Sequence, residues 1–220
     1  MRDTQTIFLC DDDAGVRNSL SFLCRQHGFE VSAHSSGPEL LSAIDAMASP
    51  VRGVFVLDVT MEPMSGPQVH EQLRARGLGK RNPVIFLSAH GDVPIVVAAL
   101  TKGALNFVEK PHTDGTLLPL IRQALALEEV WQSQARRAEL LQSLWGSLSL
   151  QQKRVALLVA EGKLNKVIAS LLDVSERTVE VHRSKVFEKM GVDSAAALAT
   201  TIADLRACGI SIAVDGESMN

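Results

Sequence analysis

Val54-Phe55-Val56-Leu57-Asp58 is a run of four apolar residues that ends on a carboxylate. A strand that is apolar at every position is covered on both faces, so the carboxylate that follows it is delivered to a rim and not to a core. The form recurs along the chain. Ile7-Phe8-Leu9-Cys10 runs into Asp11-Asp12-Asp13, Val84-Ile85-Phe86-Leu87 into Ser88, and Asn106-Phe107-Val108 is followed by Glu109 and Lys110, while a weaker strand lies around Glu30-Val31-Ser32-Ala33. Helix-like patterns fill the intervals, at about 16–27, 37–47, 66–76, 92–102 and 114–125. Short two-sided strands alternating with helices predict a doubly wound α/β fold on a five-stranded parallel sheet. In such sheets ligands sit beyond the carboxyl ends of the strands.

The chain has 220 residues, enough for two compact units that each bury a core. With 46% apolar and 21% charged residues it has a globular composition, and no apolar run reaches the roughly 18 residues that span a bilayer. Met1-Arg2-Asp3-Thr4-Gln5 leads straight into the first strand, with no signal-peptide pattern, so a cytoplasmic protein with no membrane partner is expected. Cys10, Cys24 and Cys208 have neither metal-ligand spacing nor an even disulfide framework and read as buried or incidental thiols. The net charge of -3 argues against nucleic-acid binding by the whole chain. Its distribution is uneven: residues 1–127 carry 11 basic and 13 acidic side chains, residues 148–206 carry 9 and 7.

From 113 to about 145 the pattern stays helical, and no glycine-serine tether separates the halves. A short dimerising coiled coil there is the alternative to a plain linker. After Gly146 four helices follow, over 150–161, 166–172, from Ser175 or Glu176 to about Met190, and 195–205. The expected division is an α/β unit over 1–126, a helical linker over 127–147, an all-α four-helix unit over 148–206 and a flexible tail over 207–220.

Three carboxylates, a hydroxyl and an amine converge on one rim of the predicted sheet: Asp11, Asp12, Asp58, Ser88 and Lys110. Clustered carboxylates repel unless a cation holds them, and an all-oxygen site suits Mg²⁺. Such a site suits a carboxylate nucleophile attacking phosphorus. Asp58 is the preferred nucleophile because it stands alone at the central strand end, whereas Asp11 and Asp12 are paired as metal holders are. Taken singly, Asp11-Asp12-Asp13 reads as an exposed turn or helix cap and Lys110 as a surface charge; their joint placement reverses that reading.

In the second unit, Asn165-Lys166-Val167-Ile168-Ala169 precedes Leu171-Leu172-Asp173-Val174-Ser175 and then Arg177-Thr178-Val179-Glu180-Val181-His182-Arg183. A short helix, a tight turn and a longer helix form the helix-turn-helix arrangement, whose second helix enters the major groove of double-stranded DNA. Ile168, Leu171, Val174, Val179, Val186 and Met190 fit the buried side. Thr178, Glu180, His182, Arg183, Lys185 and Lys189 are left for solvent or DNA. The bland alternative is that these charges only solvate a helical bundle.

Residues 5–126 resemble the receiver domains of two-component signalling, through Phe8-Leu9-Cys10-Asp11-Asp12-Asp13, Val56-Leu57-Asp58-Val59-Thr60-Met61, Met64-Ser65-Gly66, Phe86-Leu87-Ser88-Ala89-His90-Gly91-Asp92 and Phe107-Val108-Glu109-Lys110-Pro111. Residues 148–206 resemble the DNA-binding domain of the LuxR and FixJ family. The first resemblance implies phosphorylation of Asp58 by a sensor histidine kinase and Mg²⁺ held by Asp11, Asp12, Asp58 and the Thr60 carbonyl. It further implies that Lys110 pairs with the phosphoryl group, that the Lys110-Pro111 bond is cis, and that Ser88 and Phe107 form a coupled switch. Simple core packing is the alternative for Phe107, and a structural or exposed role is expected for His90 and His112. The second resemblance implies phosphate contacts from Asn165, Lys166, Ser175, Thr178, Arg183 and Lys189, and base contacts from Glu180, Val181, His182 and Lys185. Together they imply homodimerisation on phosphorylation, RNA polymerase as a partner, and control of respiratory genes, of the tetrathionate type among others, or of catabolic genes.

Two departures from the family pattern stand out. Glu62 occupies the position after Met61 where the family has proline, which falls instead at Pro63, and Gln151-Gln152 replaces an Arg and Glu pair near the start of a helix. Two rival functions also follow from the same residues. A metal-dependent phosphohydrolase would use the acidic rim, although Thr60 stands where haloacid-dehalogenase-like enzymes place a second aspartate. A docking module would use the receiver fold without phosphorylation.

Overall fold

The computed structural model describes residues 4–48, 50–88, 100–110 and 114–213. His90, His112, the Lys110-Pro111 bond and most of the helix expected over 92–102 lie outside the described residues. The chain divides into two compact units, Met1–Ser133 and Gln134–Asn220.

The first unit begins β1 (Thr6–Cys10), α1 (Ala14–Gln26), β2 (Glu30–His34), α2 (Gly37–Asp45), β3 (Gly53–Asp58) and α3 (Gly66–Ala75). It continues through a 3-10 turn at Leu78–Lys80 to β4 (Val84–Ser88), β5 (Asn106–Glu109) and the start of α4 (Asp114–Gly146). The five strands form one parallel sheet in the order β2-β1-β3-β4-β5. Alternation along each strand explains why the central runs carry no polar residue. Phe8, Phe55, Leu57 and Phe86 pack with Leu40, Leu41, Val69 and Leu73 of α2 and α3. On the other face Leu9, Val54, Val56 and Ile85 pack with Leu20 and Cys24 of α1 and with Leu117, Ile121 and Ala124 of α4. Both faces are therefore dry.

Parallel register brings the strand ends level. Cys10 stands opposite Leu57 and Asp58 opposite Leu87, so Asp11, Asp58 and Ser88 emerge side by side. Gly53, at φ 130°, starts β3 where any Cβ would lie 1.8 Å from the Thr6 carbonyl oxygen. That close approach fixes β3 against β1.

Helix α4 runs unbroken from Asp114 to Gly146, so the stretch 127–147 expected as a linker is mostly its second half, and the division between the units falls inside it. The second unit adds α5 (Leu150–Ala160), α6 (Asn165–Leu172), α7 (Glu176–Met190) and α8 (Ala195–Ala207). Leu141 and Trp145 of α4 join Val155, Ile168, Val179, Val186, Leu198 and Ile202 in its core. Leu171, expected on the buried side, is instead 60% exposed, and Leu172 packs against the core. Among the described residues no helix is long and apolar enough to cross a membrane.

Candidate functional site

Four of the five strands of the sheet each hand one polar group to the carboxyl rim. Asp11 follows β1, Asp58 closes β3, Ser88 closes β4 and Lys110 follows β5; Asp11, Asp58 and Ser88 are buried, and Asp12 is exposed beside them. One carboxylate oxygen from each of Asp11, Asp12 and Asp58 lies within 4.8 Å of the others. The Lys110 ammonium bridges two of them, donating to Asp58 Oδ1 at 2.7 Å and to Asp11 Oδ2 at 2.9 Å. Its reach is set by the sheet, because the Lys110 backbone N–H donates to the Ser88 carbonyl at 2.8 Å.

Burial pushes the Asp58 carboxyl above the ordinary aspartate range; the Lys110 hydrogen bond and charge pull it back, and Asp11 and Asp12 push it further up. Burial also pulls on the Lys110 ammonium, but the bonds to Asp58 and Asp11 outweigh it and its pKa stands above the usual lysine value. Three carboxylates against one lysine leave the rim short of positive charge. Oxygen ligands at this spacing fit a hard divalent cation.

Asp13 takes a different part from its two neighbours. Its side chain accepts from the Gly15 and Val16 amides at 2.7 and 3.0 Å and caps α1, which lowers its pKa. The helix-cap reading of the triple aspartate is thus true of Asp13 alone. Two contributors escaped the sequence reading. Arg17, one turn into α1, donates to the Asp11 and Asp12 carbonyls at 2.8 and 3.3 Å. Gly66 opens α3 so close to the rim that a Cβ would lie 2.2 Å from the Asp58 carbonyl oxygen. The Ser65-Gly66-Pro67 turn signals a helix start, but nothing in it reports that approach.

Thr60 is exposed two residues beyond Asp58. Phe107 is 40% exposed on β5, so its ring is not a core residue in this arrangement. The cis peptide bond among the described residues is Glu62-Pro63.

In the second unit, Asp173 adopts a left-handed conformation (φ 52°) and turns the chain from α6 into α7. The Ser175 hydroxyl then accepts from the Thr178 amide at 3.1 Å and caps α7. Val179, Val186 and Met190 bury one side of α7, which leaves Glu180, Val181 and Lys185 exposed, with Lys166 exposed on α6. Thr178, His182 and Arg183 are half-buried. Arg183 is held by Asn165 Oδ1 at 3.0 Å and lies over the Phe187 ring, 5.4 Å from its centroid. Lys189 donates to the Ser147 carbonyl at 2.8 Å and to Gln152 Oε1 at 3.0 Å. Gln152 also closes a capping box with Ser149, so this neutral residue braces the start of α5 where a charged pair was missed.

Two family models cover these two features. Residues 7–122 match the response regulator receiver domain, and residues 146–202 match the bacterial regulatory proteins of the luxR family. The chain belongs to the LuxR-type response regulators. This response regulator is 40% identical over 194 residues to the C4-dicarboxylate transport transcriptional regulatory protein DctR of Rhodobacter capsulatus, covering 88% of this chain and 97% of the relative. It is 36% identical over 193 residues to the tetrathionate response regulatory protein TtrR of Salmonella typhimurium, covering 88% and 89%. Among solved structures, the response regulator StyR matches with a TM-score of 0.81 at 35% identity, over 91% of this chain and 98% of that one. The regulator is accordingly a DNA-binding member of a two-component system.

Proposed function

We propose that Asp58 is the phosphoacceptor through which a sensor histidine kinase controls this regulator's binding to promoter DNA. The observation that carries the assignment is the shared ammonium: Lys110 bonds both Asp58 and Asp11 in a rim with three carboxylates. Asp11, Asp12, Asp58 and the Thr60 carbonyl would hold Mg²⁺, and the three carboxylate positions fit it. Bound there, Mg²⁺ supplies charge neutralisation for a phosphoryl group. In the transfer, the phosphorus–nitrogen bond of the kinase phosphohistidine breaks as an Asp58 oxygen–phosphorus bond forms. Lys110 then trades one carboxylate for a phosphoryl oxygen, and the Ser88 hydroxyl meets another.

Phe107 is the reporter of that event in this proposal, its exposed ring moving inward as Ser88 moves. The outcome is homodimerisation in the cytoplasm and recruitment of RNA polymerase at the promoter. Lys166, Ser175, Thr178 and, once released from their present partners, Asn165, Arg183 and Lys189 would meet phosphates; Glu180, Val181, His182 and Lys185 would face bases. The targets in this proposal are respiratory or catabolic genes, a reading supported by relatives named for C4-dicarboxylate transport and for the tetrathionate response.

The test is a promoter footprint with and without an acyl-phosphate donor and Mg²⁺, alongside self-association by light scattering. Donor should strengthen both in the wild type and neither in Asp58→Ala. Identical footprints for the two proteins under both conditions would overturn the proposal.

A further inference from the structure

The outward face of α7 carries Glu176, Arg177, Glu180, Val181, Lys185 and Glu188. Among the exposed charges of α7 the carboxylates Glu176, Glu180 and Glu188 equal the cations Arg177, Lys185 and Lys189, an unexpected balance for a surface that meets a polyanion. Glu176 lies in the first turn, where the positive end of the helix dipole favours it, and Glu188 lies toward the far end. Glu180 is different. It sits in the second turn, within the part of a recognition helix that reaches base edges. Its only charge contact among the described residues is Arg177, at 3.4 Å, with side-chain exposures of 86% for Arg177 and 53% for Glu180. That pair is loose and solvated, so it holds the carboxylate weakly. Arg183 and Lys189, by contrast, are tied to partners within the protein.

A carboxylate carried into the major groove meets phosphates and the acceptors guanine N7 and O6, adenine N7 and thymine O4, all of which repel it. Exocyclic amino groups alone attract it. The adenine amino group stands between two acceptors, its own N7 and thymine O4. The cytosine amino group has guanine O6 on one side and a C–H edge on the other, so the repulsion there is smaller. We propose that Glu180 is a specificity-determining residue that accepts a hydrogen bond from the N4 amino group of a cytosine in each half-site. It adds selectivity and no affinity from charge, which fits an acidic residue on this face. The inference rests on the base-reading role given to α7 above and names the base.

The full chain, treated with acetyl phosphate and Mg²⁺, is incubated with a pool of randomised duplexes, and the bound sequences are counted for wild type, Glu180→Ala and Glu180→Gln. The wild type is expected to enrich sites with a C·G pair at one fixed position of each half-site, preferred by roughly 5- to 150-fold. Glu180→Ala should keep the rest of the site and lose that preference to near parity. Glu180→Gln should shift it to A·T, because a carboxamide both accepts from adenine N6 and donates to N7. Wild-type and Glu180→Ala sites with the same preference at every position would overturn the inference while leaving base reading by α7 intact. Failure of the wild type to enrich any site would instead remove the base-reading role, and this inference with it.

Discussion

The two ends of β3 carry ionic clusters of similar burial and opposite completeness. Just before the strand, Arg52 donates to both oxygens of the fully buried Glu128 at 2.7 and 3.1 Å and to Glu129 at 2.5 Å. Gln5 adds a bond to Glu128 at 2.6 Å and one to the Leu125 carbonyl at 2.8 Å, and Gln132 reaches the Val51 carbonyl at 3.3 Å. The hydrogen bonds that Arg52 donates to Glu128 raise its pKa in spite of its burial. At the far end of the same strand, Asp58 shares a single lysine with Asp11 and has Asp12 beside it. Where donors match acceptors, the buried charge fastens α4 to the base of the sheet. Where acceptors exceed donors, it keeps a place for a cation and a phosphoryl group.

If that contrast holds, the closed end is the one whose disruption costs most. Arg52→Ala strips Glu128 of its guanidinium and leaves a buried carboxylate with only Gln5, so a loss of about 3–5 kcal/mol is expected in urea unfolding. The double variant Arg52→Met, Glu128→Leu should recover most of it, since a buried pair exchanged for apolar groups is close to neutral. At the open end the largest effect is steric. Gly66→Ala places a methyl group against the Asp58 carbonyl and should cost about 1–3 kcal/mol in the same assay, with acetyl phosphate no longer modifying Asp58 at the wild-type rate.

Sequence and structure agree where the signal is local or repeated. The central strands were legible because runs such as Val54-Phe55-Val56-Leu57 are apolar on both faces, and the rim was legible because four strands end in polar groups together. The Arg52–Glu128 cluster was not, since 76 residues separate its members and each is unremarked in its own neighbourhood. Leu171 was misread for a related reason. An eight-residue helix makes barely two turns, too few for the apolar pattern to decide whether Leu171 or Leu172 follows Ile168 into the core. Gly66 shows the same limit, because a glycine before a proline marks a turn and says nothing of what stands opposite.

Smaller effects sharpen the account of the open rim. Mg²⁺ at ten times its Kd should stabilise the wild type by about 1.4 kcal/mol in thermal or urea unfolding, from its preferential binding to the folded chain, and should do little for Asp58→Asn. Without metal the same substitution should act in the other direction to most active-site losses. Burial and the neighbouring carboxylates hold the folded Asp58 pKa above its unfolded value, so folding favours the protonated form. Its contribution to stability is therefore fully present below the unfolded pKa and is lost as the pH rises through the folded one. Asparagine has no such titration. In a chelator, Asp58→Asn should match the wild type in acid and exceed it at neutral pH by about 1 kcal/mol or less, the gap opening across that interval. A gap of the opposite sign would mean that Lys110 outweighs burial at this carboxylate, and that the rim is as closed as the base of the sheet.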